Sequence, residues 1–62
     1  MQKTPEDGVL LEFRRVGNAV KVSAIDQNTG TEISIVGPYT AGKTELTRTA
    51  IQKLKYVMAK NN

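Results

Sequence analysis

Two short segments rich in turn-forming residues divide the middle of the chain into three runs of alternating apolar and polar residues. Gly17 followed by Asn18 between two such runs is typical of a two-residue type II′ hairpin turn. Residues 27–30, Gln-Asn-Thr-Gly, suit a four-residue turn in which Gly30 takes the left-handed conformation. Together they predict three antiparallel strands. The predicted strands are Val9–Val16, Ala19–Asp26 and residues 31–36.

Both predicted turns give the same register relative to the middle strand. The first places Phe13 opposite Val22, and the second places Ile35 opposite the same residue. One face of the predicted sheet is therefore apolar. Its members are Leu11, Phe13, Val20, Val22, Ala24, Ile33 and Ile35. Because two independent turns agree on this face, we expect it to be the core side of the sheet.

The last third of the chain has the periodicity of an amphipathic helix. We expect Gly37 and Pro38 to end the sheet, since proline cannot donate to the ladder. The helix should begin between Thr40 and Thr44, with one of these two threonines as its N-cap, and run to about Lys60. Its apolar arc comprises Leu46, Ala50, Ile51, Leu54, Val57 and Met58. The predicted fold is α+β, a three-stranded antiparallel β-meander packed by one C-terminal α-helix in the order βββα.

The predicted organisation is one domain over residues 8–60, with a flexible N-terminal tail at residues 1–7 and a frayed C-terminus at residues 61–62. A chain of 62 residues builds only a small core, and this one has neither Cys nor His. Disulfides are thus excluded, and no metal and no cofactor are expected. Self-association is the remaining way to gain stability. The sequence has no apolar run long enough for a signal peptide or a membrane span, so we expect a soluble, cytoplasmic protein.

Residues 37–44, Gly-Pro-Tyr-Thr-Ala-Gly-Lys-Thr, match the phosphate-loop pattern G-x-x-x-x-G-K-[ST] in full. A nucleotide-binding loop, however, follows a strand of a parallel sheet and needs an acidic residue on a further strand. Here the preceding strand is predicted to close an antiparallel meander, and Pro38 removes one amide. Nucleotide hydrolysis is therefore disfavoured. A weaker hypothesis remains, in which Lys43 and Thr44 at a helix N-terminus contact a phosphate or sulfate.

Catalytic residues of other kinds are not predicted either. The sequence offers no His or Cys, and Glu12 and Glu32 fall in rows too far apart for joint acid–base chemistry. We therefore expect a protein without enzyme activity.

The outer face of the predicted sheet carries four branched apolar residues where water-facing positions are usually polar. These candidate interface residues are Leu10, Val16, Ile25 and Val36. They favour a homo-oligomer, a dimer in the simplest case, or contact with a larger protein partner. The alternative is that they are scattered surface residues, which are common in small proteins. The predicted first and third strands are both sheet edges, so pairing through an edge is also open.

Charge is distributed unevenly along the chain. Residues 1–36 carry four basic and five acidic side chains, whereas residues 37–62 carry five basic and one acidic. A basic half suggests nucleic acid or another polyanion as an alternative partner, although late lysines also suit the negative end of a helix dipole. The candidate anion contacts are Arg14, Lys21, Lys43, Thr44, Arg48 and Lys55. Three strands followed by a helix also resemble, in topology alone, the DNA-binding domains of some plant transcription factors and phage integrases.

Two stretches and the closing helix resemble a family of short uncharacterised bacterial proteins. The stretches are G-N-A-V-K-V-S-A-I-D at residues 17–26 and T-G-T-E-I-S-I-V-G-P at residues 29–38. The resemblance covers residues 8–60. It implies no assigned activity, cofactor or functional residue, so the function has to be argued from this chain's own surfaces.

Overall fold

The computed structural model describes the backbone of residues 2–6 and the complete residues 8–60. In chain order the elements are β1 (Gln2–Glu6), β2 (Val9–Val16), β3 (Ala19–Asp26), β4 (Glu32–Pro38) and α1 (Lys43–Lys60). The strands lie in the order β1-β2-β3-β4, and every neighbouring pair is antiparallel. The predicted α+β fold, with its three-stranded meander and C-terminal helix, is confirmed.

A fourth strand stands where the sequence predicted a flexible tail at residues 1–7. β1 pairs with β2, with Gln2 opposite Phe13 and Glu6 opposite Val9. An edge strand tolerates a proline such as Pro5, because only one side of it has to supply donors to a neighbour. The edges of the sheet are therefore β1 and β4, and the prediction that β2 is an edge is wrong. Residues 1 and 7, together with the predicted frayed end at residues 61–62, lie outside the described residues.

The two predicted turns and the register that they impose are confirmed. Val16 pairs with Ala19 across a two-residue turn, in which Gly17 has a φ of 61°. Ile25 pairs with Glu32 across the second turn, where Gly30 has a φ of 77°. The backbone of any residue other than glycine is strained at such φ angles.

The core lies between the inner sheet face and α1, which packs against β3 and β4. The buried apolar residues are Val9, Leu11, Phe13, Val22, Ala24, Ile33, Leu46, Ala50 and Leu54. Partly buried around them are Val20, Ile35, Ile51, Val57 and Met58, among others. Both predicted apolar faces are thus confirmed, and Val9 extends the sheet face by one position. Burial of such side chains is the dominant favourable contribution to folding.

The junction between β4 and α1 differs from the prediction in two respects. β4 continues through Gly37 and Pro38, and Pro38 pairs with Ala19, which an edge strand allows. The backbone N–H of Leu46 donates to the carbonyl of Gly42 at 3.0 Å, so Gly42 is the N-cap of α1. The prediction of Thr40 or Thr44 as the N-cap is wrong. Thr40 lies instead in a turn closed by a hydrogen bond from the N–H of Ala41 to the carbonyl of Pro38, at 3.0 Å.

Candidate functional site

The segment that matches the phosphate-loop pattern is the end of an antiparallel edge strand followed by a tight turn. The N–H of Tyr39 donates to the carbonyl of Asn18 at 2.7 Å, and the N–H of Ala41 donates to Pro38. These two amides are used within the chain, and Pro38 has no amide hydrogen to offer. Gly37 lies against Leu46, and a Cβ at position 37 would overlap the Cδ2 atom of that leucine. The first glycine of the pattern therefore serves the packing of the helix on the sheet.

The outer face of the sheet arranges its residues in four rows across β2, β3 and β4. The middle two rows are polar on β2 and β3, but Val36 of β4 lies in the third row, opposite Lys21. Glu12 pairs with Ser23, which is buried and whose hydroxyl lies 3.2 Å from that of Ser34. In the next row Arg14 pairs with Lys21, so two like charges stand directly opposite each other. Such a pair is unfavourable in an isolated sheet.

The four predicted interface residues fall into two groups on this face, Leu10 and Ile25 in the first row, and Val16 in the fourth row with Val36 in the third. Leu10 pairs with Ile25 at one end, and both side chains are half-buried. Toward the other end, Val16 is 61% exposed and Val36 is 71% exposed. The structure therefore places all four on one face but does not gather them into one cluster.

A groove runs between α1 and β2 on the inner side of the sheet, with a volume of about 650 Å³. It exists because α1 packs against β3 and β4, which leaves the inner side of β2 next to the flank of the helix. Three apolar side chains of β2 line it, together with polar and basic side chains of α1 and Ile51. The lining residues are Val9, Leu11, Phe13, Lys43, Thr44, Thr47, Arg48, Ile51, Gln52 and Lys55.

The six predicted anion contacts are split between two surfaces. Lys43, Thr44, Arg48 and Lys55 all line the groove, whereas Arg14 and Lys21 lie on the outer sheet face. The structure therefore brings four of the six together and separates the other two from them by the thickness of the sheet. The groove itself was not predicted. The signal for it would have been that one helix is too narrow to cover the inner face of more than about two strands.

Two aromatic rings near this end of the molecule, on the inner side of the sheet, each contact a cation. The ammonium group of Lys43 lies 4.9 Å from the centre of the Phe13 ring, at the wall of the groove. The guanidinium group of Arg15 lies 3.5 Å from the centre of the exposed Tyr39 ring, and its Nε donates to the carbonyl of Gly17 at 3.0 Å. Cation–π contacts of this kind hold long side chains in place. Arg15 was not predicted as a surface residue of interest.

Neither a metal centre nor a membrane span is found in the part of the chain that the structure describes. Across residues 8–60 no three His, Cys, Asp or Glu side chains cluster as metal ligands would. Over the same residues no helix is both long enough and apolar enough to cross a bilayer.

Comparison with protein families matches residues 6–61 to a family described as a domain of unknown function, DUF6898. The searches of curated proteins and of solved structures found no match. The matched region contains β2, β3, β4 and α1, and with them the groove and the outer sheet face described above. The resemblance to a family without assigned function is thereby confirmed: the chain belongs to the family of this domain of unknown function, DUF6898.

Proposed function

We propose that the chain is a non-enzymatic interaction module that associates with a second copy of itself through the outer face of the sheet. The observation that carries the proposal is the pattern of outer-face residues on β2. Along this strand the residues are Leu10, Glu12, Arg14 and Val16. Reversed end to end, the same pattern is complementary to itself, since an apolar residue meets an apolar one and an acid meets a base.

A two-fold axis between two facing sheets, perpendicular to the strands, produces this match. It sets β2 against β2 of the second copy in the opposite direction, so that Leu10 faces Val16 and Glu12 faces Arg14 of the other chain. On β3 the same operation sets Ile25 against Ala19 of the second copy. Closed dimers of this kind are the commonest homo-oligomers, and their interfaces have to be self-complementary.

The unfavourable pairing of Arg14 with Lys21 across β2 and β3 supports the same arrangement. The two cations are paired directly across β2 and β3, and like charges in this position destabilise a sheet. A carboxylate of the second copy, from Glu12, would be placed over this pair and would offset the repulsion. Small chains without disulfides or metals also commonly gain stability from association.

The test is the molar mass of the protein measured by light scattering between about 10 µM and about 1 mM. This range suits a weak dimer, which we expect because so small a chain can bury only a small interface. We expect the wild-type mass to rise toward that of a dimer and Val36→Lys to remain monomeric. Tyr56→Lys is the matched control, since Tyr56 is also exposed, at 63%, but lies on α1. A wild-type protein that stays monomeric at the highest concentration contradicts the proposal.

A second proposal, binding of nucleic acid or another polyanion, is favoured by the location of Lys43, Arg48 and Lys55 on one wall of the groove. Phosphate contacts of this kind give an affinity that falls steeply with added salt. Titration of a labelled DNA duplex at about 50 and about 200 mM salt tests it, and the absence of binding at the lower salt rejects it. For either function we propose a cytoplasmic location, which suits a chain that has no cysteine to oxidise.

A further inference from the structure

In β4 every second residue points its backbone N–H and C=O groups away from β3. At one end of the strand pair the N–H of Asp26 donates to the carbonyl of Thr31 at 2.8 Å, and at the other end the N–H of Tyr39 donates to the carbonyl of Asn18 at 2.7 Å. Hydrogen-bonded and non-hydrogen-bonded pairs alternate along an antiparallel ladder. Both contacts therefore assign the backbone groups of the odd-numbered residues of β4 to β3. The even-numbered residues point theirs toward the open edge of the sheet.

The outward backbone groups belong to Glu32, Ser34 and Val36, and a contact from α1 agrees with this direction. The ammonium group of Lys53 donates to the carbonyl of Ser34 at 3.0 Å. That carbonyl has a second lone pair and can accept another hydrogen bond. Pro38, the next outward residue, has no N–H, and its carbonyl is already used within the chain. A strand edge with such groups is a template for pairing with another strand.

A second copy of β4, running in the opposite direction, uses all of these groups in one register. With Ser34 opposite Ser34 of the other copy, Glu32 lies opposite Val36 on both sides of the centre. Each of these pairs then exchanges two hydrogen bonds. A shift of the register by two residues leaves either Glu32 or Val36 without a complete pair. The two-fold axis of this pairing therefore passes through the Ser34 pair.

The position of α1 allows this pairing and places the two helices in contact. α1 packs against β3 and β4, so its axis lies between these two strands. Two helices in this position would be separated by two strand spacings, about 10 Å, which is the usual distance between packed helices. Leu46 lies on Gly37 and Lys53 on Ser34, so α1 runs antiparallel to β4 and Lys53 lies near the two-fold axis.

Charges beside this edge favour a second copy as the occupant. The flank of α1 that faces the edge covers an arc of about 80° and consists of Glu45, Thr49, Lys53, Tyr56 and Lys60. Reversal about an axis near Lys53 brings Glu45 toward Lys60 of the other copy. On the outer face it brings Glu32 to the strand beside Lys21 of the other copy. Both contacts join an acid to a base. The two Lys53 ammonium groups approach each other, and this repulsion keeps a single pairing weak.

We propose that β4 pairs antiparallel with β4 of another copy, and that this pairing joins the dimers formed through the outer sheet face into larger assemblies. The inference rests on the proposed function for its strength. The two-fold axis of the outer-face dimer sets each strand against the same strand of the second copy, so its two β4 edges lie along one side. Two dimers can then form two edge pairings at once, which bind far more tightly than one.

The test compares Ser34→Pro with Ser34→Ala by light scattering at concentrations up to about 1 mM. Proline removes the outward N–H, which the ladder with β3 does not use. Alanine is the matched control, because it removes the same hydroxyl but keeps the N–H. We expect the wild type and Ser34→Ala to exceed the mass of a dimer, and Ser34→Pro to stop at the dimer. Val36→Lys should remain a monomer, because single edge pairings are weak.

Amide hydrogen exchange of the wild type gives a second measurement, which does not depend on a variant that folds. The amides of Glu32, Ser34 and Val36 should exchange at least about tenfold more slowly at about 1 mM than at about 10 µM. The outer-face dimer alone does not produce this effect, because it provides no acceptor for these N–H groups.

The inference is overturned if the wild type stops at the mass of a dimer, if Ser34→Pro exceeds that mass as the wild type does, or if the outward amides exchange equally fast at both concentrations. The two proposals fail in different ways. Wild type and Ser34→Pro that are both dimers reject the edge pairing alone. A monomeric Ser34→Pro beside a Val36→Lys that still dimerises upholds the edge pairing and rejects the outer-face dimer. A wild type that is monomeric throughout rejects both.

Discussion

Gly37 and Leu46 lie so close together that the leucine side chain occupies the space where any larger residue at position 37 would place its Cβ. Gly37→Ala should therefore destabilise the protein by about 1–3 kcal/mol, because α1 would have to shift away from β4. Urea denaturation measures the loss. The same substitution in a Leu46→Ala background is the control, since the side chain that the new Cβ would meet is then absent. An equal loss in both backgrounds would contradict the packing role of Gly37.

The carboxylate of Asp26 holds the turn between β3 and β4. It is 7% exposed and accepts hydrogen bonds from the N–H and the hydroxyl of Thr29, at 2.9 and 2.7 Å. Asp26→Ala should lower the free energy of unfolding by about 1–3 kcal/mol, because both donors lose their acceptor. Gln27→Ala, at the neighbouring exposed position, should change it by less than about 0.5 kcal/mol. Thermal or urea unfolding of the two variants compares them, and a neutral Asp26→Ala would show that water replaces the carboxylate.

The N-terminus of α1 lacks a capping side chain, because Gly42 occupies the N-cap position. Gly42→Ser should raise the free energy of unfolding by about 0.5–1 kcal/mol, since the hydroxyl would accept a hydrogen bond from the first turn and the unfolded chain would lose freedom. Thr40→Ala and Thr44→Ala should change it little, because neither threonine is the N-cap. The melting temperatures of the three variants measure these changes. If Thr44→Ala lost as much stability as the removal of an N-cap side chain usually costs, the assignment of Gly42 as the N-cap would be contradicted.

Exchange of the charges of Glu12 and Arg14 tests the proposed dimer. In the two-fold arrangement, Glu12→Arg and Arg14→Glu should each weaken association about tenfold, because each sets like charges against each other across the interface. The double variant should recover much of the wild-type affinity, since its two charges are exchanged on both copies. Sedimentation of the four proteins gives the comparison, and a double variant as weak as the worse single variant would contradict the two-fold register.

Much of the fold was predictable from the sequence because side-chain alternation and turn residues point to the same register. Gly17 and Gly30 mark turns that only a few residue types can make, and the strands between them follow from period-two patterning. β1 escaped prediction because its sequence, Gln-Lys-Thr-Pro-Glu, has no apolar alternation. β1 is held by backbone pairing with β2, and backbone pairing leaves no side-chain periodicity in the sequence. The Asp-Gly pair at residues 7–8 was the available signal, since this dipeptide is a strong mark of a hairpin.

The candidate surfaces were predictable only in part, because they depend on where α1 comes to lie. Alternation places Val16 and Val36 on the outer face. The grouping of Lys43, Arg48 and Lys55 beside Phe13 needs the lateral position of α1 over β3 and β4. The close packing of Leu46 on Gly37 is part of what fixes that position, and a single contact of this kind leaves no repeating pattern in the sequence.

Because each strand pairs only with the strand that precedes or follows it in the chain, the sheet assembles without closing a long loop. Folding rates rise as contacting residues come closer in sequence, so this chain should fold quickly for a protein with four strands. The hairpin of β2 and β3 closes across only two residues, Gly17 and Asn18, and we expect it to form early, with the neighbouring strands and then the helix adding to it. A protein that spends so little time partly folded exposes its unpaired strands only briefly to other chains.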